Sequence, residues 1–128
     1  MQRIIVSTDK APGAIGPYSQ AVKTDNMVFV SGQIAIDPAS GELITDDIRK
    51  ETRQVMTNLK EVLLEAGSSM NHIVKVTLFI KDMDQFSVIN EVYGEFFQEQ
   101  PPARACVEVS ALPKGANVEA EAIALLGG

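Results

Sequence analysis

Cysteine, histidine and tryptophan are almost absent from this chain of 128 residues, which has one cysteine, one histidine and no tryptophan. Because Cys106 is the only cysteine, the chain cannot form an internal disulfide. Cys106 and His72 together cannot supply the nitrogen and sulfur ligands of a usual zinc site. We therefore expect no metal ion of that kind, while a site made only of carboxylates stays open.

Positive charge and long apolar runs are also scarce. Eleven Lys and Arg residues stand against 17 Asp and Glu residues, so the formal net charge is −6. Such a chain repels the phosphates of nucleic acids and of anionic lipids. No apolar run approaches the ~20 residues that a membrane-spanning helix needs, and the residues after Met1 lack the apolar core of a signal peptide. We therefore expect a cytoplasmic protein with no nucleic-acid partner and no membrane partner.

Hydrophobic residues make up 45% of the sequence, which is enough for the core of one domain over residues 1–128. Over residues 46–66, apolar side chains recur every three or four positions, Asp46 or Asp47 can cap the start, and Gly67 can end the run. This pattern predicts an amphipathic helix, and a similar stripe predicts a second helix over 84–98. Period-2 or β-branched patterns predict strands at 3–7, 19–23, 27–34, 72–80, 103–109 and 117–125.

This order of elements, ββαβαββ after a short leading strand, predicts an α+β fold. Both helices would cover one face of a mixed sheet of four to six strands, which gives a two-layer sandwich. The other sheet face would be bare and would present Met27, Phe29, Phe79, Ile123 and Leu125. Because that patch is too apolar for a monomer in water, we expect the chain to self-associate through it.

The last two strands carry most of the candidate chemistry. In the first of them, small or apolar residues at 103, 105, 107 and 109 alternate with Arg104, Cys106 and Glu108, and we expect the apolar set to face the core. In the second, Glu119 and Glu121 share a face. If the two strands pair antiparallel through the turn at 113–116, the guanidinium, the thiol and the carboxylates would lie on one sheet surface. That surface would be a site that binds a carboxylate and positions a water molecule.

Four short motifs follow one another along the chain: GPYSQA at 16–21, SGQI at 31–34, PARACVEV at 102–109 and VEAEAIA at 118–124. Together they resemble the motifs of the RidA/YjgF family of reactive-intermediate deaminases. The resemblance covers nearly the whole length. It implies a chorismate-mutase-like fold and a homotrimer with its sheets inside, its helices outside and three ligand sites between subunits. It also implies hydrolysis of 2-aminoacrylate and 2-aminocrotonate, or their imine tautomers, to 2-oxo acids and ammonia. PLP-dependent serine and threonine dehydratases produce these intermediates.

The resemblance also implies a role for each matching residue. The family's carboxylate-binding arginine matches Arg104, its water-positioning glutamate matches Glu119, and its site cysteine matches Cys106. Its pocket residues match Tyr18, Ser31, Gly32 and Asn90. Arginine can hold a carboxylate through two charge-assisted hydrogen bonds, and glutamate can orient a water and accept its proton. This reaction requires no cofactor, and without a nearby base Cys106 is expected to pack beside the substrate.

Alternatives stay open at this stage. Arg104 could instead pair with Glu108 or Glu119, periodicity does not separate Glu119 from Glu121, and Asn90 could serve structure. The protein could also be a regulatory module that binds a 2-oxo acid or an amino acid without turning it over. A third function attached to this family is ribonuclease or translation inhibitor. The acidic charge and the lack of a basic aromatic stripe argue against it.

Overall fold

In a computed structural model, which describes residues 2–127, two helices pack on one face of a six-stranded mixed sheet. The strands are β1 (Ile4–Val6), β2 (Ala21–Lys23), β3 (Met27–Gln33), β4 (Ile73–Ile80), β5 (Ala103–Glu108) and β6 (Val118–Leu125). The helices are α1 (Ile48–Ala66) and α2 (Phe86–Gly94). The predicted two-layer α+β fold is confirmed. No helix within residues 2–127 is long and apolar enough to cross a membrane.

The first helix begins and ends where its capping residues predict. The Asp47 side chain accepts hydrogen bonds from the backbone N–H groups of Arg49 and Lys50, and these bonds lower the pKa of the Asp47 carboxyl. Gly67 ends α1 with φ at 88°, in the left-handed region that glycine adopts without strain. The predicted apolar stripe is buried against the sheet. It includes Val55, Met56, Leu59, Val62 and Leu63.

The second helix is shorter than predicted. A 3₁₀ turn at Met83–Gln85 precedes α2, and α2 ends at Gly94 instead of residue 98. After Gly94, the N–H groups of Phe96 and Phe97 bond to carbonyls three residues back, so the chain tightens out of α geometry. Phe97 is nevertheless buried, as its place in the apolar stripe predicts.

The predicted pairing of the last two strands is wrong. The strand order is β1-β2-β3-β6-β4-β5, so β4 lies between β5 and β6. Because α2 connects β4 to β5 as a crossover, β5 runs parallel to β4, with Arg104 beside Val76 and Cys106 beside Leu78. Val76 and Leu78 are buried beneath the helices. Arg104 and Cys106 therefore lie on the helix-covered side of the sheet.

The opposite face of the sheet is bare, as predicted. Phe29, Val107 and Leu125 are each 44% exposed on it, and Met27, Phe79 and Ile123 are partly exposed. Ala103 and Ala105 share this face, because β5 pairs them with Lys75 and Thr77. The expectation that the small residues of β5 face the core is therefore wrong. Alternation separates the two faces of an edge strand but does not say which of them turns inward.

A buried carboxylate anchors the start of β6 to α1. Glu51 has no exposed surface, and its oxygens accept hydrogen bonds from the backbone N–H of Asn117 (2.7 Å), from Asn117 Nδ2 (2.8 Å) and from the backbone N–H of Val118 (3.2 Å). These bonds fix the chain two residues before Glu119.

We expect Glu51→Ala to lower the free energy of unfolding by about 2 to 4 kcal/mol, because it leaves three donors without their acceptor in the interior. Chemical denaturation at one protein concentration measures the loss. Glu65→Ala, at an exposed position of the same helix, is the matched control and should change the free energy by less than about 0.5 kcal/mol. Equal losses in the two variants would show that the Glu51 bonds contribute nothing specific.

Candidate active site

Arg104 lies on β5 and is held by side chains of α2. Its Nη1 donates a hydrogen bond to Asn90 Oδ1 at 2.7 Å. The guanidinium carbon lies 4.8 Å from the ring centre of Tyr93 and 5.5 Å from that of Phe86. One amide and two aromatic rings therefore orient the planar guanidinium.

The charge of Arg104 is not neutralised by a neighbouring carboxylate. Within residues 2–127, no Asp or Glu oxygen lies within 4.0 Å of the guanidinium. Glu108, one of its candidate partners, instead accepts a hydrogen bond from the backbone N–H of Met83 at 2.7 Å. The alternative in which Arg104 is simply half of an ion pair is thus excluded for the described chain. The guanidinium can bind an external anion.

A cavity of about 410 Å³ adjoins this guanidinium. Its lining residues are Asn90, Tyr93, Gly94, Phe97, Pro101, Pro102 and Arg104. The hydroxyl of Tyr93 is buried, and it has no hydrogen-bond partner among the described residues. Burial also raises the pKa of Tyr93, so this hydroxyl stays protonated at neutral pH.

Sequence reasoning missed Phe86 and Tyr93 as site residues, although a signal for them exists. Phe86 lies four residues before Asn90, and Tyr93 lies three residues after it. On a helix, this spacing puts all three side chains on one face. The same face presents Asn90 to Arg104, with which it forms the hydrogen bond described above.

Cys106 lies two residues after Arg104 on the same face of β5 and is partly buried against the main core. Burial raises the pKa of the thiol, and the nearby positive charge of Arg104 only partly opposes that effect. His72 is exposed, its Nδ1 lies 2.6 Å from Ser69 Oγ, and it precedes β4 by one residue. Because Cys106 pairs with Leu78, the histidine is about 20 Å away along the strand direction. Within residues 2–127, His72 therefore lies too far from the thiol to activate it as a nucleophile.

The remaining predicted residues meet in a second cleft at the other face of the sheet. Glu119 pairs with Phe79 on the bare face and is partly buried. The cleft beside it has a volume of about 550 Å³. The lining residues that matter here are Tyr18, Ser31, Gly32, Lys114, Glu119 and Glu121. Four of them, Tyr18, Ser31, Gly32 and Glu119, are predicted site residues.

One buried amide fixes the loop that carries Tyr18. Gln20 Nε2 donates to the carbonyl oxygens of Thr8 (3.0 Å), Ala11 (3.4 Å) and Pro12 (2.7 Å), and Gln20 Oε1 accepts from the backbone N–H of Thr8 at 2.7 Å. Sequence reasoning did not identify Gln20 as a structural residue, because nothing in the residues around it distinguishes a buried glutamine from an exposed one. It acts as the structural anchor of the cleft wall.

Two effects raise the pKa of Glu119 above its ordinary value of 4.5. Burial of the carboxyl is the larger cause, and the negative charge of Glu121 on the same face of β6 is the second. The group therefore titrates closer to neutral pH, where it can exchange protons with a bound water. Within residues 2–127, no cluster of three or more His, Cys, Asp or Glu side chains is placed to hold a metal ion.

Gly32 leaves the space that the Glu119 carboxyl occupies. A Cβ atom at residue 32 would lie 2.6 Å from Glu119 Oε2 and 2.8 Å from its Cδ. Such a contact is too short to persist, so any side chain at residue 32 must displace the carboxyl. The close approach expected at this glycine is thus made by Glu119.

We expect Gly32→Ala to reduce turnover by about 10- to 100-fold, because a carboxylate displaced by an ångström no longer orients its water. Stability should change by less than about 1 kcal/mol, since the displaced atoms are the flexible end of a side chain. Gly13→Ala is the control, because Gly13 lines the same cleft and a Cβ there meets nothing within 4 Å. Full activity in Gly32→Ala would show that the position of Glu119 is not critical.

The predicted site residues therefore form two separate groups in one chain. Arg104, Cys106 and Asn90 lie on the helix-covered side of the sheet, whereas Tyr18, Ser31, Gly32 and Glu119 line the cleft at the bare side. The expectation that Arg104, Cys106 and Glu119 share one sheet surface is wrong, because it assumed that β5 and β6 are neighbours. Within one chain, the Arg104 guanidinium and the Glu119 carboxyl belong to separate groups that do not meet.

Comparison with known proteins gives consistent results over the full length. Residues 8–126 match the family described as Endoribonuclease L-PSP. The chain is 50% identical to the 2-iminobutanoate/2-iminopropanoate deaminase of Bos taurus, over 98% of this chain and 91% of that protein.

Two solved structures are closely similar to this fold. The Rid family protein YyfA from Yersinia pestis has a TM-score of 0.95 and 48% identity, covering 98% of this chain and all of that one. The E. coli protein TdcF with bound serine has a TM-score of 0.92 and 46% identity, covering 95% of this chain and 98% of that one.

Proposed function

Because the chain belongs to the Endoribonuclease L-PSP family, which is the RidA/YjgF family, we propose that it is a 2-iminobutanoate/2-iminopropanoate deaminase. The resemblance read from the four sequence motifs is thereby confirmed. The observation that carries the proposal is the guanidinium of Arg104, which has no carboxylate partner within residues 2–127 and which Asn90 and two aromatic rings hold beside a cavity. Such a planar group can hold the carboxylate of a small substrate through charge-assisted hydrogen bonds.

A complete site requires a second copy of the chain. Arg104 and Glu119 lie on opposite sides of one sheet, so they can act on one substrate only if a neighbouring subunit supplies one of them. The exposed apolar residues of the bare face support association through that face. A homotrimer, with one site in each of its three clefts, is the assembly that the family resemblance implies.

The reaction follows from the two halves. Arg104 binds the carboxylate of the imino acid, and Asn90 holds the guanidinium in place. Glu119 accepts a proton from a water whose oxygen bonds to C2 of the imine, which gives a carbinolamine. The imine nitrogen takes that proton from Glu119 as the carbinolamine forms. The carbinolamine hydroxyl then gives its proton to Glu119, which passes it to the nitrogen while the C2–N bond breaks and the C2–O double bond forms, so the products are one 2-oxo acid and one ammonia. The substrate's own imine carbon is the electrophile, so the step uses groups present in the chain and in the substrate.

A coupled assay tests the activity. A PLP-dependent threonine dehydratase releases 2-iminobutanoate from threonine, and semicarbazide traps the part that is not hydrolysed enzymatically. Adding the protein should accelerate 2-oxobutanoate formation and reduce the trapped fraction. A regulatory binding module would bind 2-oxobutanoate but leave both quantities unchanged. The serine bound in TdcF makes that alternative worth testing.

A ribonuclease is the other function that the family description names. The net charge of −6 and the two carboxylates in the larger cleft would repel an RNA backbone. We therefore expect no cleavage of single-stranded RNA under conditions in which imine hydrolysis is complete.

Mixing two inactive variants tests whether the site lies between subunits. Arg104→Ala and Glu119→Gln, unfolded together and refolded as a 1:1 mixture, should form trimers in which some sites combine an intact Arg104 with an intact Glu119. With random mixing, about a quarter of all sites are intact, so about a quarter of wild-type activity should return. If each site lay within one subunit, mixing would restore nothing.

Three further features belong to the same proposal. PLP-dependent serine and threonine dehydratases would supply the substrate, so the protein and these dehydratases would work in one compartment. The cytoplasm is the compartment that fits the acidic composition and the single cysteine. Residues 1–128 would act as a single domain, which one sheet and one main hydrophobic core support.

A further inference from the structure

The cleft beside Glu119 carries more negative than positive side chains, which is unusual for a site that binds an anion. Glu119 and Glu121 both line it, and the whole chain carries a net charge of −6. Within residues 2–127, Lys114 is the single cationic side chain among the lining residues of this cleft. An imino acid carries a carboxylate, so the two glutamates and the overall field oppose its entry. Lys114 is the group in this lining that can offset that repulsion.

Lys114 also occupies a backbone conformation that lysine disfavours. It has φ of 57°, and the next residue, Gly115, has φ of 74°. The backbone N–H of Ala116 donates to the carbonyl of Pro113 at 3.1 Å, which closes a tight turn around these two residues. Turns with positive φ at both central residues strongly prefer Asn, Asp or Gly at the first of them. A lysine therefore stands where an asparagine would suit the turn better, and the turn that contains it lines the cleft.

We propose that Lys114 is a specificity-determining residue that draws anionic substrates into the Glu119 cleft and offsets the charge of Glu119 and Glu121. This inference rests on the proposed function and deepens it. Arg104 binds the carboxylate at short range, whereas Lys114 acts through its charge during approach and in the complex. The cleft should therefore favour imino acids over neutral imines of the same shape.

Lys114→Asn separates this role from a structural one. Asparagine suits the turn, so the variant should unfold at the same denaturant concentration as wild type or at a higher one. Its kcat/KM for 2-iminobutanoate, measured by competition with semicarbazide, should fall about 5- to 20-fold. The inhibition constant of 2-oxobutanoate should rise by a similar factor, while that of the neutral 2-oxobutanamide should stay unchanged. Added NaCl should reduce kcat/KM more steeply for wild type than for Lys114→Asn.

Two controls accompany this variant. Lys114→Arg keeps the charge and should retain most of the activity and the salt dependence. Lys60→Gln makes the same change in net charge at an exposed position of α1 and should behave as wild type. If Lys114→Asn matches wild type in activity and salt dependence, or if Lys114→Arg is equally impaired, the inference is overturned while the proposed function stands.

If wild type hydrolyses no imine at all, the proposed function fails instead. Calorimetric binding of 2-oxobutanoate then still decides the role of Lys114. Weaker binding by Lys114→Asn but not by Lys60→Gln would support it, and equal binding would overturn it.

Discussion

Arg104→Ala is expected to lose about 2 to 4 kcal/mol of transition-state stabilisation for hydrolysis of 2-iminobutanoate, measured as the drop in kcat/KM. The guanidinium has no carboxylate partner in the described chain, so its charge is available to the substrate. The product 2-oxobutanoate carries the same carboxylate. Its affinity, measured by calorimetry, should therefore fall together with the rate.

Two further variants make this result specific. Arg53→Ala removes an arginine whose Nη2 contacts Glu95 at 2.9 Å between the helices, and it should leave rate and product affinity unchanged. Arg104→Lys keeps the positive charge but loses the planar pair of donors, so it should recover only part of the loss. Normal product affinity in Arg104→Ala would mean that the carboxylate is bound somewhere else.

Glu119→Gln is expected to reduce turnover by at least ~10²-fold while 2-oxobutanoate binds nearly normally. Glutamine keeps the shape and can still hold a water, but it cannot accept the proton. The matched control is Glu121→Gln, two residues along the same face of β6. If Glu121→Gln were inactive and Glu119→Gln active, the catalytic carboxylate would be Glu121.

The pH dependence of kcat/KM gives a second measure of the same carboxyl. Glu119 must be ionised to accept a proton, and its pKa is raised by burial and by Glu121. Activity should therefore be lost as the pH falls through a value above the ordinary 4.5 of a glutamate. In Glu121→Gln the neighbouring negative charge is gone, so this acid limb should move to lower pH. A limb that stays in place would show that Glu121 does not act on Glu119.

The parts of the fold set by local chemistry were predictable. A capping aspartate, an apolar residue every three or four positions and a closing glycine define α1 almost completely. Strict alternation also placed the residues of β6 on their correct faces, since Val118 and Ala120 are buried and Glu119 faces the cleft. Four motifs identified the family without any structure.

The orientation of β5 could not be predicted in the same way. Small residues like those of β5 occur both on faces buried in a core and on faces that contact another subunit. A long arginine side chain like that of Arg104 can either pack over aromatic rings or extend into solvent. The deciding fact is the neighbour of β5, which depends on where α2 returns the chain. The positive φ of Lys114 was equally hidden, because nothing in its sequence favours that conformation.

The separation of Arg104 and Glu119 on opposite sides of one sheet has a consequence for how the activity depends on concentration. In the proposed assembly no single chain contains a complete site, so dilution that dissociates the subunits would switch the activity off. Restoring the concentration would switch it on again. Specific activity would then report the assembled fraction, and selection for catalysis would act on the contact between copies as directly as on the reacting side chains.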